Sequence, residues 1–172
     1  MATATDIATK NASKNTTKKV PAKKATAPMD ATAMLRADLK RVSALFDAFE
    51  TTKSVKRKKE IVGQICMELT VHTTLEEEIF YPAVKAALKD HELVPEANVE
   101  HAAVKDLIAQ VKDVEPGGEI YDARVKVMGE FVKHHVKEEQ TEMFPKAKKT
   151  KLDMFALGAK MAARKAELMA LG

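Results

Sequence analysis

One short pattern occurs twice in this chain and limits the folds that are compatible with it. The first copy runs from His72 to Pro82 and reads HTTLEEEIFYP, and the second runs from His135 to Pro145 and reads HVKEEQTEMFP. In each copy a glutamate follows the histidine four positions later, and an aromatic residue stands just before the proline. Side chains at positions i and i+4 project from one face of an α-helix. The repeat therefore predicts two helices that each present a histidine beside a glutamate.

Apolar residues recur at helical spacing from Asp30 onward, and no stretch alternates as a β-strand would. Asp30 and Ser54 are suitable N-caps for the first two helices. The stripes that we expect to face the core are Leu35, Leu39, Val42, Phe46 and Phe49; Ile61, Ile65 and Leu69; Val104, Ile108 and Val111; and Val125, Met128, Val132 and Met143.

Prolines and glycines mark where these helices should stop. Pro82 is expected to end or kink the second helix and Pro145 to stop the fourth. The Pro116-Gly117-Gly118 turn separates the third helix from the fourth. A fifth, amphipathic helix is expected from Leu152 to Leu171. The predicted fold class is all-α, an up-down-up-down four-helix bundle with an extra C-terminal helix.

Residues 1–29 differ in composition from the rest of the chain. They contain six lysines and one aspartate, a net charge of +5, whereas the whole chain carries +4, which leaves −1 for residues 30–172. Such a lysine-, alanine- and threonine-rich segment buries too little apolar surface to offset its ordering entropy. We predict a disordered basic tail over residues 1–29 and a helical domain over residues 30–172. The tail is either a solubilising tether or a weak contact for nucleic-acid phosphates.

The composition also excludes several classes of protein. No stretch approaches the ~18 apolar residues that span a bilayer, and the N-terminus lacks the apolar segment of a signal peptide. Cys66 is the one cysteine, which rules out an internal disulfide, a cysteine-based metal cage and an iron–sulfur cluster. We expect a cytoplasmic protein with no membrane contact.

The third helix has the same spacing as the first. The equivalent residues are His101, Val104, Leu107 and Ile108 in the third helix and Leu39, Val42, Leu45 and Phe46 in the first. The chain thus resembles a duplicated helix pair in which each half offers a lone histidine and a His-x3-Glu pair. Leu39 departs from this pattern, because its side chain cannot bind a metal.

The polar residues on the predicted core faces form a candidate metal site. Its members are His72, Glu76, His101, His135 and Glu139. A core-facing glutamate is costly unless it is paired or bound to a metal, and two facing glutamates repel each other unless a positive charge lies between them. Imidazole suits zinc, copper, iron and nickel, and bridging carboxylates favour iron or manganese. No histidine has a glutamate three positions before it, so the Glu-x-x-His pattern of ferritin-like bundles is not favoured.

Other interpretations apply to single residues. His101 alone is typical of a hydrogen-bonded core histidine, and Glu76 and Glu139 alone are typical of partly exposed helix positions. The joint repeat outweighs these interpretations. His134 is predicted to flank the site near Glu130 or Glu138, His91 to lie in a loop without a site role, and Tyr81 to be a packing residue.

These segments resemble the hemerythrin-like family, also called the HHE cation-binding domain, over roughly residues 30–170. The usual pattern of that family is a lone histidine and a His-x3-Glu pair, followed by a second set of the same kind. The last three elements are present here, as are the IFYP and MFP phrases and a final helix around Arg164 and Leu168. The resemblance implies two irons: His101 and His135 would bind one, His72 the other, and Glu76 and Glu139 would bridge.

Leu39 leaves the iron beside His72 short of one ligand. An asymmetric di-iron site, a single iron on the side of His101 and His135, and a mostly metal-free site all remain open, and Asp38 or Glu77 are candidate substitutes that lie off the core stripe. The family implies a protein that binds or senses O2, NO or peroxide. The alternatives are an enzyme that decomposes peroxide or NO, and a nucleic-acid-interacting structural protein with a degenerate site. The oligomeric state and physiological ligand stay open.

Overall fold

The computed structural model describes residues 29–89 and 92–170, and all regular structure in these two ranges is helical. The all-α prediction is therefore confirmed. The predicted tail (except Met29) and His91 lie outside the described residues. The helical segments are α1 (Ala31–Thr51), α2 (Val55–Leu75), the π-helical π1 (Glu76–Phe80), α3 (Tyr81–Leu88), α4 (Leu93–Lys112), α5 (Glu119–Glu138), the π-helical π2 (Glu139–Met143), α6 (Phe144–Lys148) and α7 (Met154–Ala170).

The first two helices begin at the predicted caps. The Asp30 carboxylate accepts a hydrogen bond from the backbone N–H of Ala33 at 2.9 Å, and the Ser54 hydroxyl accepts one from that of Arg57 at 3.4 Å. Each cap satisfies a backbone donor that the first helical turn leaves free. Local sequence signals therefore account for both starts.

The segments form four long helices and one shorter one. α2, π1 and α3 are continuous, as are α5, π2 and α6. Short connections at residues 52–54 and 113–118 return the chain, so that α1 packs on α2 and α4 packs on α5 as antiparallel neighbours. Contacts of α1 with α5 and of α2 with α4 join the two pairs into a bundle, and α7 packs on α1, α2 and π1.

Neither Pro82 nor Pro145 ends its helix, contrary to the stop predicted at Pro145. Each proline is the second residue of an α-helix that follows a π-helical turn. The N–H of Tyr81 bonds to the carbonyl of Glu76, and the N–H of Phe144 bonds to that of Glu139, each spanning five residues. Proline has no N–H, and its ring clashes with the i−4 carbonyl of a regular α-helix. The wider π turn relieves this conflict, and the helices continue.

The apolar core has two clusters, which lie at different heights along the bundle. Cluster A lies at the end formed by α3 and α6 and includes Leu35, Leu75, Phe80, Ala97, Met143, Phe144 and Met161. Cluster B lies toward the α1–α2 and α4–α5 turns and includes Val42, Ile65, Leu69, Val104, Met128 and Val132. The residues between these heights are mostly polar, and we call them the polar layer: His72, Glu76, Tyr81, His101, His135 and Glu139.

Candidate metal centre

The polar layer collects all five predicted site residues. These residues are at most 5% exposed, and Glu76 is fully buried. α2 and π1 supply His72 and Glu76, α4 supplies His101, and α5 and π2 supply His135 and Glu139. The structure therefore brings the five together, whereas their role as metal ligands stays a prediction.

Glu76 lies at the centre of the layer. Its Oε2 atom is 3.2 Å from Nε2 of His72 and 3.3 Å from Nε2 of His101, and the Nε2 atoms of His101 and His135 are 3.2 Å apart. Two groups of donor atoms lie within 4.8 Å of one another, namely Glu76 with His101 and His135, and His72 with Glu76 and Glu139. Glu76 belongs to both groups. Its position is therefore the one that a carboxylate bridging two cations would need.

Several buried polar atoms in this layer have no hydrogen-bond partner among the described residues. They are both ring nitrogens of His72, Oε1 of Glu76 and Oε2 of Glu139. The contact of 3.2 Å between His72 and Glu76 lacks hydrogen-bond geometry. Unpartnered buried polar atoms are costly to the folded state. A cation bound among them would give these nitrogen and oxygen atoms a partner. The residues present therefore fit a bound metal.

The pKa values of the two buried glutamates are shifted in opposite directions. For Glu139, burial and then the adjacent charge of Glu76 raise the pKa well above its usual value. For Glu76, burial opposes ionisation, but His72 and His101 together lower the pKa well below its usual value. Two like charges this close do not both persist in a buried site. Without metal the pair retains a proton, which a cation would displace.

The two histidines on α4 and α5 are oriented through their outer nitrogens. Nδ1 of His101 lies 3.0 Å from Oε1 of Glu77, which also bonds Lys105 at 2.6 Å. Nδ1 of His135 lies 2.7 Å from Oε2 of Glu100. Carboxylates in this position leave Nε2 free to bind a metal and fix the ring orientation. Glu77 thus orients a histidine from the side away from the layer, and Glu100 was not singled out from the sequence.

Tyr81 is more than a packing residue. Its hydroxyl donates to Oε1 of Glu139 at 3.1 Å and lies 3.2 Å from Nε2 of His101 and 3.4 Å from Nε2 of His135. Its ring also stacks on that of His101, with centroids 5.3 Å apart. Burial, Glu76 and Glu139 raise the tyrosine pKa well above its usual value, so the hydroxyl keeps its proton.

Leu39 is the residue at the repeat position where the sequence pattern predicts a further histidine. It is 5% exposed and lies on α1 between Leu35 of cluster A and Val42 of cluster B, which is the height of the polar layer. Its neighbour Asp38 is also buried, contrary to its predicted place off the core stripe, because α7 covers it: Oδ1 accepts from Lys165 at 2.6 Å. The same oxygen accepts from Arg41 at 2.5 Å. That carboxylate oxygen is therefore already paired with two cations.

His134 lies outside the layer. Its side chain is 62% exposed, and Nε2 is 3.3 Å from Glu138 and 3.4 Å from Glu100. The predicted flanking position beside Glu138 is confirmed. His134 and His135 are adjacent in sequence and about 100° apart on the helix, which explains why one is exposed and the other buried.

Comparison with known proteins shows what this architecture is similar to. A solved structure of a hemerythrin HHE cation-binding domain-containing protein from Mycobacterium kansasii matches the fold with a TM-score of 0.71 and 23% identity, covering 83% of this chain and 88% of that one. A DNA nickase from Nostoc sp. (strain PCC 7120) is 29% identical over 111 residues, which are 64% of this chain and 31% of the nickase. The chain thus spans about a third of the length of this relative. In the described ranges, no helix is long and apolar enough to cross a membrane.

The family model for the hemerythrin HHE cation-binding domain matches residues 31–147, from the start of α1 to α6. These bounds include both His-x3-Glu repeats, the π-helical turns and the whole polar layer. The match covers more than half of the sequence, and the chain therefore belongs to the hemerythrin HHE cation-binding domain family.

Proposed function

We propose that this protein binds non-haem iron in the polar layer and uses it to bind or sense a small ligand such as O2, NO or peroxide. The observation that carries the proposal is the set of unpartnered nitrogen and oxygen atoms that face one another in a buried layer. Family membership supports cation binding, and the donor set of imidazoles and carboxylates without cysteine supports iron over softer metals.

The two donor groups suggest how the irons would be held. His101, His135 and Glu76 would hold one ion, and His72, Glu76 and Glu139 would hold the other. Leu39 withholds a donor from the second group, so we expect weaker binding on the side of His72. Iron in such a layer supplies redox chemistry and open coordination positions, while the apolar clusters on either side exclude bulk water.

The test is the iron content of the full-length protein after anaerobic loading with Fe2+. We expect His101→Ala/His135→Ala to lose most of its iron and wild type to show an absorption spectrum that azide perturbs. Glu142→Gln is the control, because Glu142 is an exposed acid on π2 that pairs with Lys146 outside the layer. Wild-type protein that stays metal-free with full helicity after loading would contradict the proposal.

A second candidate is an enzyme that decomposes peroxide or NO. The position of the Tyr81 hydroxyl favours it, because this hydrogen-bond donor lies within 3.4 Å of oxygen or nitrogen atoms on Glu76, Glu139 and both facing histidines. Turnover that disappears in Tyr81→Phe at unchanged iron content would support this candidate. Turnover no faster than that of free iron would count against it.

A third candidate is association with nucleic acid through the basic residues 1–29. The name of the Nostoc relative and the charge of +5 favour it. Contacts between lysines and phosphates make the affinity fall steeply with salt concentration. We would expect a steep salt dependence that disappears when residues 1–29 are deleted, whereas a shallow dependence would exclude this mode.

A further inference from the structure

A second cluster of donors lies on the face of α4 and α5, just outside the polar layer. Nε2 of His134 is 3.3 Å from Oε1 of Glu138 and 3.4 Å from Oε1 of Glu100. These three ligand atoms lie within 4.8 Å of one another. His134 and Glu138 form another His-x3-Glu pair, one residue out of phase with His135 and Glu139. α5 and π2 therefore present this pair twice, once inward and once outward.

A narrow cleft lies between the two glutamates of this cluster and the polar layer, and His134 is not among its lining residues. It has a volume of about 10 Å³, comparable to the room that one water molecule needs. Its walls include Glu100 and Glu138 from the outward cluster and His135 and Glu139 from the layer. Glu139 is only 1% exposed, and its Oε2 has no hydrogen-bond partner among the described residues. The cleft is therefore bordered by a buried glutamate that has an unpartnered carboxylate oxygen.

Glu100 physically connects the two places. One of its oxygens, Oε1, lies beside His134, and the other, Oε2, bonds Nδ1 of His135 at 2.7 Å. Glu96 also lines the cleft. Within the described ranges, neither Glu100 nor Glu138 forms an ion pair with a lysine or arginine. Several carboxylates without a lysine or arginine partner among the described residues therefore lie together at this cleft, and the imidazole of His134 lies beside two of them.

We propose that Glu100, His134 and Glu138 form an outer site for a divalent cation, and that iron reaches the polar layer through this site. One imidazole and two carboxylates suit Fe2+, Mn2+ and Zn2+. Clustered charge of one sign raises the local concentration of counter-ions and their association rate. The loading role rests on the proposed iron-binding function, whereas the outer site itself does not.

Mn2+ binding tests the outer site on its own. In the background His72→Ala/His101→Ala, which removes inner donors without touching Glu100, we expect one bound Mn2+ per chain by electron paramagnetic resonance. Adding His134→Gln/Glu138→Gln should abolish it, and adding Glu142→Gln should not. No binding in a background that keeps its helicity, or binding that survives His134→Gln/Glu138→Gln, overturns the outer site.

The rate of Fe2+ uptake tests the loading role without altering the core. In otherwise wild-type protein, His134→Gln/Glu138→Gln should slow anaerobic uptake about tenfold and leave the final iron content unchanged. Uptake at the wild-type rate overturns the loading role. If wild-type protein takes up no iron, the proposed function fails, and the Mn2+ measurement still decides whether the outer site exists.

Discussion

Tyr81 and Phe144 hold equivalent positions in the two repeats, each just before a proline, yet they have different surroundings. The Phe144 ring is fully buried in cluster A and packs edge-to-face on Phe80, with centroids 5.6 Å apart. The hydroxyl of Tyr81 lies instead among the donors of the polar layer. The duplicated segments are therefore not equivalent, because only one of them contributes a proton donor to the site.

Replacing Tyr81 tests the value of that hydroxyl. In metal-free protein, Tyr81→Phe should lower the free energy of unfolding by about 1–3 kcal/mol, because Glu139 and His101 lose a buried partner. Tyr121→Phe is the matched control, since Tyr121 is also buried, and it should change stability by less than about 0.5 kcal/mol. Urea unfolding in the presence of a chelator measures both. Equal effects of the two changes would mean that the Tyr81 hydroxyl has no special role.

We expect Leu39, which lies on α1 where none of the five candidate ligands is found, to limit how much metal the layer holds. Leu39→His should raise the iron content from about one to about two per chain, because it adds a metal ligand on α1, the helix that supplies none of the five candidate ligands. Leu39→Ile keeps the volume without adding a donor and should leave the content unchanged. Elemental analysis of both variants and wild type decides the point. Wild-type protein already at two irons would show that another group completes the site.

Sequence spacing was sufficient to find the five residues that meet in the layer, because His101 and both His-x3-Glu pairs lie in line with the apolar faces of their helices. It did not predict that Glu77 and Glu100 contact the outer nitrogens of histidines on other helices. Nor did it predict the hydrogen bond between Asp38 and Lys165, which are far apart in sequence. Such contacts depend on how helices pack, and helical periodicity describes only one helix at a time.

At the scale of the elements, the first π-helical turn explains why Tyr81 reaches the polar layer although α-helical spacing predicts a packing role for it. In a regular α-helix, residues five positions apart point about 140° away from each other. The turn from Glu76 to Phe80 adds a residue to the helical repeat, so Glu76 and Tyr81 face the same layer. A single sequence gives no clear signal for such a turn apart from the following proline.

The helix α7 lies close to the start of α1. A Cβ atom at Gly158 would collide with the backbone carbonyl of Met29, whereas one at Gly63 on α2 meets nothing within 4 Å. Gly158→Ala should therefore destabilise the protein by about 1–3 kcal/mol. Gly63→Ala should stabilise it by about 0.5–1 kcal/mol, because alanine is the better helix former. Unfolding in urea compares the two, and a neutral Gly158→Ala would show that α7 can move away without cost.

Side chains on α7 also attach it at the height of the site. Arg164 bonds Glu78 of π1 through two nitrogens at 2.7 and 3.1 Å, and Lys165 bonds Asp38 of α1. Asp38 precedes Leu39 in the sequence, and Glu78 lies two residues after Glu76. The C-terminal helix, which lies beyond the matched family segment, is therefore tied to both π1 and α1 by side-chain contacts.

At the scale of the whole molecule, the core is divided. Clusters A and B each span several helices, and the polar layer separates them. A bound ion would bridge side chains from both helix pairs and stabilise the native state relative to the unfolded chain. The metal-free layer instead leaves unpartnered polar atoms at the junction between the two clusters.

Native-state hydrogen exchange can detect this division. In metal-free protein we expect the amides around cluster A and those around cluster B to exchange with separate opening energies. Iron loading should slow both groups and bring their opening energies together. His101→Ala/His135→Ala should show no such change on addition of iron. A single shared opening energy in the metal-free protein would contradict the expectation.

The polar layer has one more consequence, which concerns alignment. Apolar side chains tolerate sliding of one helix along another, because a leucine shifted by one turn of about 5.4 Å still meets apolar neighbours. Histidines and glutamates do not tolerate such sliding. A helix shifted by one turn would place one of their polar groups against Leu75 or Val104 of the adjoining clusters. The layer therefore sets a single vertical register for the bundle, and the residues that form the candidate metal site also decide which of the possible helix alignments is the native one.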